Sequence, residues 1–217
     1  MHDLSDFRAR NHHNIKDPYF LADQYFNGID SVEKGIDMAA RFIRNISKPW
    51  CKTVIVDSNH DLAFKRWLKE ADGHSDPLNA RYWHENNAKM FERIENKDSG
   101  FNIFEHALKK KCDLGDVVFL QEDDSFMLKD IEFGMHGHLG PNGSRGAPNN
   151  IKKMGRKANT GHTHSAGIIE GVYTSGVSAK LDLGYNKGPS SWSHSHIFTY
   201  QNGKRAICTM KGEKWRA

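Results

Sequence analysis

Three polar clusters at the ends of predicted strands constrain this chain more than any other feature. The β-branched run Thr53-Val54-Ile55-Val56 is of the kind buried in parallel sheets, and it leads straight into Asp57-Ser58-Asn59-His60-Asp61. The other two clusters are His136-Gly137-His138 and Gly161-His162-Thr163-His164. Functional sites in layered folds collect at such strand ends, so a fold with several short strands opening onto one rim is expected. The chain has 13 histidines, and most fall in pairs: His12 with His13, then His136 with His138, His162 with His164 and His194 with His196.

The periodicity around the clusters changes along the chain. Val32, Ile36, Ala39, Ala40 and Ile43 fall at helical spacing, and Asp30 with Glu33 has the form of a capping box, predicting a helix that ends before Pro49. Leu62 to Ala71, Pro77 to Glu95 and Phe101 to Lys111 also read as helices. After Gly115 short strand-like runs take over: Val117 to Leu120, Phe126 to Leu128 and Ile131 to Phe133. A glycine-rich loop from Gly134 to Asn150 and a short basic helix from Ile151 to Lys157 follow. Gly167 to Tyr173, Ala179 to Leu183, His196 to Tyr200 and Arg205 to Met210 predict a β-rich tail, with Asn202-Gly203 as a hairpin turn. The expected class is α/β (α+β), a layered β-sandwich flanked by helices.

Length and composition set the bounds. A chain of 217 residues with 37% hydrophobic content predicts a single domain over 1–217. A net charge of +4 permits nucleic acid as a partner without requiring it. Cys51, Cys112 and Cys208 are odd in number and lack CxxC spacing, which predicts reduced thiols and a cytoplasmic setting. No run reaches the roughly 18 apolar residues of a membrane span.

Neutral imidazoles, carboxylates and carboxamides together suit manganese, iron or zinc. Taken singly, an HxH in a loop is common surface sequence, and Asn59 or Asp61 could serve as a helix N-cap. The order of the clusters carries more. Asp3-x-x-Asp6, Asn59-His60-Asp61, a histidine, then Gly161-His162-Thr163-His164 resembles the calcineurin-like metallophosphoesterase signature, which runs DxH, GDxxD, GNH(D/E), H and GHxH. His2 and Ser58 stand where that signature has glycine. Arg10 to His13, His136 to Gly146 and Gly188 to Trp192 look more narrowly like phage phosphoesterases, among them the DNA-transfer proteins of tailed phages.

The resemblance implies a site with two divalent metal ions, manganese first and iron or zinc as alternatives. It implies that Asp3 bridges the two, that Asn59, His136 and His162 complete one, and that His164 binds the other. His138 competes with His136 for the fourth motif, and His136 is preferred because it follows its strand more directly. His60 would be the general acid or transition-state stabiliser, oriented by Asp61. The implied activity is phosphodiester hydrolysis on DNA, in the host cytoplasm if the chain is phage-encoded. The alternative is a catalytically impaired DNA-binding or assembly module.

One departure stands out: the first motif, on the opening strand, has no counterpart. Asp3 and His164 alone are then left for the second ion, so one of the two sites is expected to be incomplete. A fragment, one half of a split gene product and a degenerate homologue all fit, the first two better. On those readings an upstream polypeptide supplies the missing strand, and exposed sheet edges favour self-association. Arg8, Arg10, Arg145, Lys152, Lys153, Arg156 and Lys157 are candidates to follow a nucleic-acid backbone.

Overall fold

The structure is a computed structural model that describes every residue except 184, 185, 187, 213 and 217, and only the backbone of 214–216. It is a mixed α/β protein with several sheets. Two compact units divide it: Met1 with Asp3–Gln121, and His2 with the residues from Glu122 onward.

The first unit is mainly helical. Helices α1 (Pro18–Phe26), α2 (Val32–Ile46), α3 (Leu62–Glu70), α4 (Ala80–Glu95) and α5 (Ile103–Lys111) accompany a pair of parallel strands, β1 (Val54–Val56) and β2 (Val118–Leu120). Helix α2 forms where its apolar period predicts. Its cap is Ser31, whose hydroxyl accepts from the Lys34 N–H, so the expected Asp30 capping box is replaced by the next residue. The buried face of α2, through Ile36 and Ile43, joins Ile55 of β1, Phe64 of α3 and Leu108 of α5 in one apolar cluster. Each of these side chains is at most 2% exposed, the condition under which apolar burial contributes about 25 cal/mol per Å². Met1 runs along the edge of β1 opposite β2: its amino group donates to the Val54 carbonyl (2.6 Å), and the Val56 N–H donates to the Met1 carbonyl (2.8 Å).

In the second unit, five strands are ordered β3 (Met127–Leu128), β4 (Ile131–Glu132), β5 (Lys157–Thr160), β7 (Val172–Thr174) and β6 (Gly167–Ile169). The central pairs β4–β5 and β5–β7 are parallel, and the outer ones are antiparallel. A second, antiparallel sheet has the order β10 (Lys214–Arg216), β9 (Arg205–Lys211), β8 (Ser195–Thr199). The turn between β8 and β9 falls at Asn202-Gly203 as expected, closed by the Tyr200 N–H donating to the Lys204 carbonyl at 2.8 Å.

Three expectations for this unit are corrected. The helix α6 is Pro148–Ile151, continued by one 3-10 turn over Lys152–Met154, and Lys157 already belongs to β5. Gly155, at φ +66°, takes the left-handed conformation that ends the turn. Gly167 to Tyr173 is two strands rather than one, because Glu170 and Gly171 both have positive φ and make a two-residue hairpin turn. Ala179 to Leu183 forms no ladder; the Asn186 side chain bonds to Leu181 and Leu183 there instead. Among the described residues no helix is long and apolar enough to cross a membrane.

Candidate functional site

The loop between β1 and α3 carries the first set of candidate residues. Ser58 and Asp61 are fully buried and hold each other: the Ser58 hydroxyl donates to Asp61 Oδ2 (2.8 Å), and the Asp61 N–H donates back to Ser58 Oγ (3.1 Å). The Ser5 N–H donates to the other carboxylate oxygen (3.2 Å). Burial pushes the Asp61 carboxyl up to about 8; the Ser58 bond opposes this, while the charges of Asp3 and Asp57 add to it. Asn59 and His60 form the turn that follows β1, both half-buried.

His60 faces Asp6, not Asp61. Its Nδ1 lies 3.4 Å from Asp6 Oδ1. The Asp6 hydrogen bond raises the His60 pKa above its ordinary value, against the opposing effect of burial and with help from Asp3. Asp3, at φ +51°, occupies the left-handed region that non-glycine residues rarely take and that often marks functional loops. Asp6, to which sequence reasoning gave no catalytic part, is thus the residue that orients His60 in this structure. Its one signal was its place as the second aspartate of Asp3-x-x-Asp6.

The second unit gathers imidazoles. His136 Nε2 lies 3.2 Å from His162 Nδ1, with the two rings nearly perpendicular. The His138 ring is 5.4 Å from that of His136 and 6.1 Å from that of His162, and the His2 ring is 5.6 Å from His136. Backbone bonds set this arrangement: the N–H groups of Gly161 and His162, just past β5, both donate to the His136 carbonyl (3.0 and 3.1 Å). Two glycines allow the close approach. Gly137 sits at φ +101°, and a side chain at Gly146 would stand 1.9 Å from the Gly137 carbonyl oxygen. His138 Nε2 is 3.3 Å from Glu122 Oε1, whereas its Nδ1 is buried with no hydrogen-bond partner. His164, at φ +59°, sets its ring edge-on to Trp192 with centroids 4.5 Å apart.

The chain is 46% identical over 221 residues to Protein A1 of Escherichia phage T5. That match takes in 100% of this chain and 39% of Protein A1, so the chain spans well under half the length of its phage relative. No protein-family model matches it, and no solved structure does.

These residues fit a divalent metal by donor chemistry. Two nitrogens bonded to one ion at about 2.0–2.1 Å stand about 3 Å apart, which is the His136–His162 relationship. The orphaned His138 Nδ1 adds a third imidazole donor of the same kind. As the side chains stand, no group of three or more His, Cys, Asp or Glu among the described residues is arranged to hold an ion, so closing a shell requires side-chain rotation.

Two of the basic candidates are already engaged. Arg10 makes a two-pronged ion pair with Asp76 (2.6 and 2.8 Å), and Lys152 pairs with Glu170 at 2.6 Å. Arg8, Arg145, Lys153, Arg156 and Lys157 remain exposed.

Proposed function

We propose that this chain is a metal-dependent phosphoesterase of the calcineurin-like kind, built on that family's layered sandwich and acting as a phosphodiesterase or nuclease on DNA in a phage context. The observation that carries the reading is the His136–His162 pair, spaced for coordination, with His138 beside it. The resemblance would assign Asn59, His136 and His162 as donors to one ion, with His138 as the competitor to His136. The resemblance would assign Asp3 and His164 as donors to a second ion. Manganese is the first choice for both, with iron or zinc as alternatives. When bound, such ions supply the charge that clamps a phosphate and acidifies the attacking water.

The remaining steps belong to the chain's own side chains. His60, held by Asp6 and raised in pKa, keeps a proton for the leaving oxygen. Asp61, buried and bonded to Ser58 and Ser5, fixes the loop that presents Asn59 and His60. The exposed Arg8 and Arg145 are available to phosphate oxygens along a nucleic-acid strand.

The test is hydrolysis of a small phosphodiester and a small phosphomonoester by the purified chain with added manganese. Faster turnover of the diester, lost in His60→Ala with metal retained and lost together with metal in Asn59→Ala, is the expected result. A chain that neither binds metal nor hydrolyses the diester would overturn the reading. The first motif's lack of a counterpart keeps open a second reading, a DNA-binding or assembly module that does not turn over. That module would bind DNA equally well in both variants.

A further inference from the structure

After the 3-10 turn at Arg8–Arg10, the chain becomes extended at Asn11 and then doubles back. Asn11 makes the turn: its side-chain oxygen accepts from the His13 N–H (2.9 Å), and its carbonyl accepts from the Asn14 N–H (3.0 Å). This local geometry brings the side chains of two consecutive residues together. The His12 and His13 rings have centroids 3.8 Å apart and planes 39° apart, and both residues are exposed.

Helix α3 adds a cation. One terminal nitrogen of Arg66 is 3.1 Å from both ring nitrogens of His12. An atom in the ring plane at equal distance from both would overlap the carbon between them, so the guanidinium nitrogen lies over the ring face. The cation is spent on that ring rather than on Glu70 one turn along the helix. His12 has its pKa lowered, by partial burial first and then by His13 and Arg66, and a neutral imidazole is the form that receives a cation over its face. His12 is also within electrostatic reach of His60.

A cluster of planar groups standing in water needs a reason. Set on the surface it buries little, and it brings three groups that can each carry positive charge into contact. A flat aromatic or guanidinium surface next to positive charge is what an unstacked nucleobase meets in proteins that bind single strands, because every base has a π-face to offer. The exposed Arg8, Lys16 and Lys65 lie within a few residues of the cluster and carry the charge that draws in the phosphates.

We propose that the Arg66–His12–His13 cluster is a stacking platform for an unpaired base of single-stranded DNA. The inference rests on the nucleic-acid reading of the proposed function and narrows it to strands with at least one unpaired base at the site.

The test uses the full chain in a chelating buffer, where turnover cannot contribute. A short deoxythymidine oligomer carrying one 2-aminopurine is titrated with protein, reading anisotropy for binding and base fluorescence for stacking. Quenching on binding is expected with the natural sequence. His13→Ala should weaken single-strand binding about five- to a hundredfold and abolish the quench. His13→Phe should restore both, and blunt duplex should bind equally to all three proteins. Unchanged single-strand affinity in His13→Ala, failure of His13→Phe to rescue, or equal loss of duplex binding would each overturn the platform. His13 is exposed, so none of these variants threatens the core. A small diester without a base separates this inference from the reading beneath it. If quenching is found without diester hydrolysis, the phosphoesterase falls and the platform stands; if hydrolysis is found with no effect of His13→Ala on the single strand, the reverse holds.

Discussion

The Ser58 hydroxyl donates to Asp61 Oδ2 at 2.8 Å, inside a loop where both residues are fully buried. The phosphoesterase signature proposed for this loop has glycine at the serine position, and a glycine could not make that bond. Ser58 does not adopt positive φ, so the exchange for serine brings no backbone strain. Ser58→Ala should therefore leave a buried carboxyl oxygen without its donor and destabilise the chain by about 1–3 kcal/mol. Urea unfolding of the two proteins measures this directly. No change in the midpoint would mean that Asp61 finds another donor.

Glu132 predicts an acid sensitivity in the second unit. Glu132 belongs to β4 and is buried, its carboxylate accepting from the Ser125 hydroxyl and from the N–H groups of Phe126 (2.9 Å) and Gly134 (2.7 Å). Burial alone would raise its pKa, but these bonds outweigh it, and the net shift is downward. A lowered folded value means that the stabilisation is complete above the unfolded value of about 4.3 and is lost as the pH falls through the folded one. Glu132→Gln should cost about 1.5–3 kcal/mol at neutral pH. The difference from the natural sequence should shrink in acid. A gap that widened on acidification would contradict the assigned charge state.

Much of this fold is legible in the sequence, and the exceptions have physical causes. Helix α2 and strand β1 were legible because their apolar residues face the core at the periods that helices and strands impose. Helix α1 was missed because its pattern is inverted: Tyr19, Tyr25 and Phe26 are 87%, 70% and 82% exposed, while Gln24 is its one buried residue among those described. Glu170 was read through as strand because a glutamate at φ +45° is not a turn signal that composition reveals. In the site, the histidine clusters and their loops were legible from spacing. The partners were not, because Asp6 meets His60 and His2 meets His136 across more than fifty residues of sequence.

Arg205 ties the two sheets of the second unit together. From β9 its guanidinium donates to the carbonyls of Ala158 (2.8 Å) and Gly171 (2.7 Å) and to Asn159 Oδ1 (2.9 Å), and it lies 4.0 Å over the Tyr173 ring. Lysine has the charge but not the planar fork. Arg205→Lys should therefore lose most of what Arg205→Ala loses, about 1.5–3 kcal/mol, in thermal or urea unfolding. Full retention of stability by the lysine variant would show that charge alone suffices there.

His162 tests whether the imidazole cluster binds metal at all. His136 Nε2 and His162 Nδ1 already hold the spacing of two nitrogens on one ion, and the bonds from Gly161 and His162 to the His136 carbonyl fix the backbones behind them. The backbones behind these two donors are then already placed for a first ion, although side chains must rotate to close its shell, whereas Asp3 and His164 alone would be too few donors to hold a second one tightly. Calorimetric titration with manganese should give one tight equivalent. His162→Ala should weaken it by more than the roughly 10–100-fold that loss of an outer-shell partner costs. His196→Ala, exposed on β8, should leave it unchanged. Two tight equivalents would mean that this chain completes the second site with donors other than these. Indifference to His162→Ala would mean that the His136–His162 contact is packing between rings rather than a preformed edge of a coordination shell.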